Sequence, residues 1–383
     1  MNVPKLRFKE FTDEWKQTPL KNIIYSNIIE APKPTTDYIR LGIRSHCKGT
    51  FHELVKIENI LSADKMYIVP KNNLILNITF AWEQAIAITD DNDEGKYISN
   101  RFPTFAFKNN QLPTFYKYII PQKRLKYDLN VASPGGAGRN RVLNKKLFLS
   151  IPVNIPLLKE QEKIAKFINT VDKKIENIEN TISSLENQKK GLLQQIFSQK
   201  LRFKDKNGNN YPNWKENIES IKILSGNMYP TTSYINKPGI LLIQGINITP
   251  NKLLLNDCIY ISNDYNEINH VIVKKGDILL GLNRPLINNQ LKICLFDKDF
   301  AYLYQRAGIL SFNKLKINSL FLYQYLQTDS FKKHLQVELV GSDQPYIKSN
   351  IFNKIKLIFP CLEEQTKIAD FLSAFDRKLD NQK

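Results

Sequence analysis

The sequence predicts an α+β protein: two tandem α/β domains with β-rich cores, joined by long helices that pack as an antiparallel coiled coil. Three observations predict it. A stretch occurs twice, LKEQEKIAKF at Leu158–Phe167 and LEEQTKIADF at Leu362–Phe371. A second stretch, KLRFK, opens each half at Lys5–Lys9 and Lys200–Lys204, followed each time by a Trp-Lys pair, Trp15-Lys16 and Trp214-Lys215. Between these markers lie runs of β-branched and aromatic residues broken by Asn, Gly and Pro, the signature of short strands and turns.

The helices follow from apolar spacing. From Ile164 the apolar positions run Ile168, Val171, Ile175, Ile178, Ile182 and Leu185, then Leu192 and Ile196. This four-three alternation is the seam of a coiled coil, interrupted only at Lys189. Pro156 sits just upstream, where proline suits a helix entry. From Lys159 to Gln199 only Gly191 is unfavourable, so the helix should run roughly 60 Å at 1.5 Å per residue. The second copy keeps the phase at Ile368, Leu372, Phe375 and Leu379 but spans roughly 20 residues, near 30 Å. An equal partner for the central helix is therefore missing. The far half of its seam (Ile182, Leu185, Leu192, Ile196) is expected to pair with another subunit.

Between the helices, MYIVPKNNLILNI (Met66–Ile78) and HVIVKKGDILLGL (His270–Leu282) both read as strand, turn, strand. KYISNRFPTFAF (Lys96–Phe107) and AYLYQRAGILSF (Ala301–Phe312) share an aromatic strand with one arginine, each followed by a helix, PTFYKYII and SLFLYQYLQ. A turn-rich loop and a final strand close each segment. The resulting division is 1–155 for a first domain, 156–200 for the central helix, 201–359 for a second domain and 360–383 for the distal helix. A period near 200 residues is a duplicated domain, not a solenoid.

Composition narrows the function. At 383 residues the chain suits two domains of ordinary size. No apolar run approaches a membrane span, and MNVPKLRFKE lacks the apolar core of a secretory signal, so a soluble cytoplasmic protein is expected. Cys47, Cys258, Cys294 and Cys361 lie far apart without a CxxC pair, which gives no zinc signature. The net charge is +18. Lys159–Lys200 holds eight lysines against six acids, so most of the excess lies in the two flanking segments, where it favours a polyanionic partner.

Catalytic signatures are absent. There is no GxxxxGK[ST], GxGxxG, HExxH or GxSxG pattern, and no Pro-Pro dipeptide to build the (N/D)PP(Y/F) motif of amino-methyltransferases. DDNDEG at Asp90–Gly95 lacks the spacing and closing glutamate of a calcium loop. What remains is a set of basic and amide side chains in loops. Arginine can bridge guanine O6 and N7, and Asn or Gln can bridge adenine N6 and N7, while lysines grip phosphates. In the first segment the candidates are Arg40, Arg44, His46 and Lys48, then Trp82, Gln84 and Arg101, then Arg139, Asn140 and Arg141 in SPGGAGRNR. In the second they are Tyr229, Thr231, Gln244 and Asn247, then Arg284 and Arg306, then Ser342, Gln344, Tyr346 and Lys348. Taken singly, each is as well read as a surface charge or a loop hydrogen bond. As groups they recur at matching places in both halves.

Two variable domains, separated and followed by helices opening P-x-x-x-E-Q-x-K-I-A-x-F, resemble the DNA specificity subunit of type I restriction-modification systems. The motif residues are Pro156, Glu160, Gln161, Lys163, Ile164, Ala165 and Phe167, with Pro360, Glu364, Gln365, Lys367, Ile368, Ala369 and Phe371. The resemblance implies two target recognition domains, each reading one half of an asymmetric bipartite sequence in double-stranded DNA. It implies a non-catalytic subunit whose antiparallel helices space the domains in approximate two-fold symmetry, matching the dyad of the duplex. The docking and coiled-coil residues would be Glu160, Gln161, Ile164, Phe167, Ile168, Val171, Ile175 and Ile178, with Glu364, Gln365, Ile368, Phe371, Leu372, Phe375 and Leu379. The partners implied are two methyltransferase (modification) subunits and restriction/translocase subunits. S-adenosylmethionine, ATP and magnesium would belong to those partners, with no cofactor or metal in this chain. Two other classes compete: a self-contained methyltransferase or nuclease with fused recognition domains, which the missing motifs disfavour, and a coiled-coil structural protein, which the charge disfavours.

Overall fold

The computed structural model describes residues 4–59, 65–135, 141–236, 239–256, 258–265 and 269–382. The chain divides into two compact units, Met1–Glu176 (unit 1) and Asn177–Lys383 (unit 2). One unbroken helix, Leu158–Phe197, supplies the end of the first and the start of the second. The distal helix, Leu362–Asp380, closes unit 2.

Each unit is built in three layers. In unit 1 a four-stranded antiparallel sheet has the order Ile24–Ser26, Thr104–Phe107, Asn73–Leu76, Ile86–Ile88. Its strand Asn73–Leu76 is buried throughout, because both faces are covered. Leu74 and Leu76 pack with Phe115, Tyr116, Leu125, Leu129 and Phe148 from the helical layer. Ile75, on the other face by the two-residue period of a strand, packs with Leu41, Ile43 and Ile98 from a five-stranded sheet. Unit 2 repeats the plan. Its sheet runs Ile221–Ser225, Ala307–Phe312, Ile278–Gly281, Ile293–Leu295. Ile278 and Leu280 face the helical core with Phe321 and Leu322, and Leu279 faces Ile243, Ala301 and Leu303.

The strand–turn–strand segments do not close as hairpins. Met66–Ile68 pairs in the five-stranded sheet and Asn73–Leu76 in the four-stranded one, so the turn at Asn72, in left-handed backbone, carries the chain between layers. Ile272–Lys274 and Ile278–Gly281 do the same across Gly276. Four strands of the five-stranded sheets correspond in order, including one parallel pair in each. The fifth strand differs: Ile29–Ala31 joins one edge in unit 1, and Tyr234–Ile235 joins the opposite edge in unit 2.

The repeated motifs meet in space. Arg7 forks onto Glu160, Nε to Oε1 and Nη2 to Oε2, both at 2.7 Å, and Trp15 Nε1 donates to Oε1 at 3.1 Å. Arg202 forks onto Glu364 at 3.1 and 2.6 Å, and Trp214 Nε1 donates to Oε2 at 3.2 Å. Glu160 is 2% exposed and Glu364 0%. The neighbouring glutamines are equally enclosed. Gln161 accepts from Leu112 N and donates to Pro156 O; Gln365 accepts from Asn318 N and donates to Pro360 O. These four residues, expected on a docking surface, are corrected to internal ones: their polar atoms are spent within their own unit. Ile164 and Ala165 likewise pack into the core of unit 1, and Ile368 and Leu372 into that of unit 2.

The seam expectation is also corrected. Lys189, the apparent break, is buried and pairs with Asp376 at 2.5 Å. Since Arg202 meets Glu364, partner numbers fall along the distal helix as they rise from Lys189, an antiparallel sense. The distal helix therefore serves the far end of the seam: Ile196 is buried and Leu192 packs against the same core, with Ile368 and Leu372 of the distal helix. Past Ile164 the near half is the one left open, with Val171 41% and Ile175 50% exposed, and Phe167 beside the seam is 56% exposed.

Replacing Glu364 with Ala removes one partner of a buried ion pair, and is expected to cost about 3–5 kcal/mol. Urea unfolding of wild type and variant checks it, and an unchanged midpoint would refute the structural role.

Candidate nucleic-acid interface

In each unit several loops converge at one end of the strands, held by the same chain of backbone bonds. In unit 1, Ile78 N donates to Arg101 O at 3.0 Å and Leu143 N to Ile78 O at 2.9 Å. In unit 2, Leu282 N donates to Arg306 O at 2.9 Å and Ile347 N to Leu282 O at 2.9 Å. Three loops thus carry matching ties, and each set presents an exposed arginine at the matching place, Arg101 or Arg306; unit 2 exposes Arg284 as well. Arg306 sits in left-handed backbone (φ 66°).

Further loops join these. In unit 1 the turn after strand Tyr38–Ile43 is strapped to the short turn Ala81–Glu83: His46 N donates to Glu83 O, Cys47 N to Gln84 O, and Ser45 Oγ to Glu83 Oε2. Lys48 is exposed on that turn. Arg101 Nη1 donates to Thr79 Oγ1 at 3.3 Å. In unit 2, Asn227 N donates to Leu303 O, Gln305 N to Asn227 O, and Arg284 N to Pro345 O. Gln244, Thr231, Ser342, Gln344, Tyr346 and Lys348 all keep some exposure on these loops or beside them.

Several candidates have other tasks. Gln84 is buried, and its amide donates to Ile120 O at 3.1 Å. Asn247 is buried and caps Gln244 N at 2.8 Å. Tyr229 is buried, its hydroxyl 2.8 Å from His270 Nδ1, in a stack with Tyr302; burial pushes its pKa up to about 12. These three are corrected from base contacts to packing and turn-holding groups. Arg40 lies in mid-strand, paired with Glu53 at 2.7 Å, away from the loop cluster. Arg44 folds back over Phe51 and onto Thr50 O. Arg141 covers the Trp82 ring at 5.0 Å and donates to Ser133 O and Asn130 O, so its fork is occupied. Arg139 and Asn140 lie outside the described residues.

The sequence reading missed a hairpin, Leu286–Ile287 paired with Gln290–Leu291, which follows Arg284 directly. The two asparagines between its strands were the available signal. Among the described residues, no group of three or more His, Cys, Asp or Glu is placed to hold a metal. None of their helices is long and apolar enough to cross a membrane.

Two repeated β-rich units, each ending in a clamped helix and presenting a basic loop cluster, define a tandem recognition protein. The chain belongs to the family described as type I restriction modification DNA specificity domain, which matches residues 17–187 and again 196–383. It is 30% identical over 360 residues to the type I restriction enzyme MjaVIII specificity subunit of Methanocaldococcus jannaschii, covering 91% of this chain and 80% of that one. The putative MjaX specificity subunit of the same organism is 27% identical over 415 residues, covering 98% and 90%. Among solved structures, the type I restriction-modification S subunit from M. genitalium aligns with a TM-score of 0.59 at 14% identity, covering 99% of this chain and 94% of that one.

Replacing Gln84 with Ala is expected to destabilise unit 1 by about 0.5–1.5 kcal/mol, since it removes the amide bond to the Ile120 carbonyl and leaves that oxygen only the weaker Cys47 thiol as donor. It should leave DNA preference unchanged, as read by thermal melts beside binding-site selection.

Proposed function

We propose that this chain is the non-catalytic DNA-reading subunit of a type I restriction-modification complex, its two units reading the two halves of an asymmetric bipartite duplex. The single observation that carries the reading is the repeated backbone chain through Ile78 and Leu282, which sets an exposed arginine at the same place in two units whose loops otherwise differ. An arginine there can bridge guanine O6 and N7. The exposed lysines nearby, Lys48 and Lys348, supply phosphate contacts that fix register without reading sequence. Because the loops differ, the two half-sites differ.

The reading extends to assembly. Methyltransferase subunits, two in number, and restriction subunits bring S-adenosylmethionine, ATP and magnesium. The near half of the central helix seam, at Val171 and Ile175, with Phe167 beside it, is the apolar surface we assign to their docking.

Arg101→Ala and Arg306→Ala should each relax one half-site only, costing about 1–3 kcal/mol at the affected base pair. Selection of bound duplexes from a random pool reads both outcomes; both half-sites changing together in either variant would overturn the division of labour. The double variant Val171→Asp, Ile175→Asp should lose co-purification with the methyltransferase subunits while keeping half-site preference. Retained assembly would remove this face from docking.

A further inference from the structure

Unit 2 carries a built feature that the described residues of unit 1 lack. Where unit 1 passes from Asn73–Leu76 to Ile86–Ile88 through the turn Ala81–Glu83, unit 2 inserts a two-stranded hairpin. Ile287 pairs with Gln290, leaving Asn288 and Asn289 as the two turn residues. Both have positive φ, 47° and 60°, as a type I′ turn requires. Ile287, Asn288, Asn289 and Gln290 are exposed, while Leu286 and Leu291 pack into the core beneath.

Two lysines, each only 9% exposed, hold this hairpin from below. Lys332 Nζ donates to the carbonyl of Asn289 at 3.1 Å, and pairs with Asp329 at 2.8 Å. Lys292 Nζ donates to the carbonyl of Asn283 at 3.4 Å, and its own N–H to Pro285 O at 2.7 Å. Lys292 lies close over Gly281: a Cβ there would meet its Cε at 2.7 Å and its Cβ at 3.0 Å, so a side chain at 281 would push the lysine aside. Burial lowers the pKa of Lys292. A buried ammonium is costly unless its donors are used. Here the two ammoniums fix the base and the tip of one hairpin. They do so from beneath, leaving the hairpin's outer surface unoccupied.

We infer that the tip Asn288–Asn289–Gln290 is the adenine-reading element of unit 2, entering the major groove as a two-stranded ribbon, with Lys332 and Lys292 as positioning residues. This rests on the reading of unit 2 as a DNA-binding domain. The major groove admits such a ribbon, and Asn or Gln can hold adenine through N6 and N7 together. A rigid turn loses little freedom when its amides bind. Arg284, at the foot of the hairpin, adds a cation beside it.

The test uses the full chain and random duplex pools made with dA or with 7-deaza-dA, which keeps base pairing but lacks N7. Wild type should enrich a sequence with adenine in one half-site, and 7-deaza-dA there should weaken binding on the order of tenfold to a hundredfold. The triple variant Asn288→Ala, Asn289→Ala, Gln290→Ala should lose that adenine preference and become indifferent to 7-deaza-dA, while the other half-site stays unchanged. Lys332→Met should shift the same way, with Lys332→Arg restoring sensitivity, which a merely stabilising lysine would not do. If the triple variant stays as sensitive to 7-deaza-dA as wild type, the hairpin assignment is wrong although unit 2 still reads DNA. If wild type enriches no sequence, the DNA-reading function itself fails.

Discussion

The structure depends on a carboxylate placed where no carboxylate should be at ease. Glu364 has no exposed surface, and Glu160 almost none. Each survives because an arginine fork and a tryptophan N–H together satisfy both oxygens. The arginine and tryptophan come from the lead-in of the unit and the glutamate from its closing helix, about 150 residues later in chain order. The clamp therefore ties the beginning of a domain to its end, beside the two-stranded ribbons Lys16–Pro19 with Pro152–Ile155 and Lys215–Glu216 with Ile358–Phe359. The adjacent glutamine then pins the start of the helical layer by accepting from Leu112 N or Asn318 N. Everything between is framed by these contacts and can vary inside the frame.

That division explains why the two units share a skeleton and not a surface. The central strands Asn73–Leu76 and Ile278–Gly281 are covered on both faces, and the backbone ties through Ile78 and Leu282 are the same. A backbone tie is indifferent to side chains, so it can be kept while the loops that it aligns change. Hence one unit builds a turn with a tryptophan under an arginine, and the other builds a hairpin, from the same exit of the same strand. The fifth strand of the mixed sheet follows the same rule: an edge strand constrains only one neighbour, so it can move to the opposite edge.

The duplication, the long helix and the strand–turn–strand segments were legible because each rests on spacing: an offset, a four-three seam, a two-residue alternation. The clamp was visible only as letters. Glu160-Gln161 and Glu364-Gln365 read as polar surface, since nothing local announces that Arg7 or Arg202 will meet them from the far end of the domain. Gln84, Asn247 and Tyr229 were misplaced for the same reason, an amide or hydroxyl being equally suited to base recognition and to a neighbouring carbonyl, and burial being a tertiary fact. The hairpin at Asn288–Asn289 had a local signal, but its anchoring by Lys292 and Lys332 did not, because lysine in a sequence reads as solvent-facing.

Lys189 shows the limit from the other side. In the seam it looks like a fault, a charge where an aliphatic belongs. Paired with Asp376, which also accepts from Gln324 at 2.7 Å, it becomes a polar contact that only one register of the antiparallel helices satisfies. The counterpart of Asp376 in unit 1, Asp172, accepts from Tyr118 at 3.0 Å, as Asp376 does from Gln324, while the apolar residues around it, Val171 and Ile175, stay exposed. The same helix start is thus covered in one unit and open in the other. Two helix starts equivalent in this respect would offer the same surface twice; here Val171 and Ile175 are exposed while Leu372 and Leu379 are buried. That asymmetry matches the helix lengths: the distal helix has 19 residues and meets the central helix, of 40 residues, from Lys189 onward, past Val171 and Ile175.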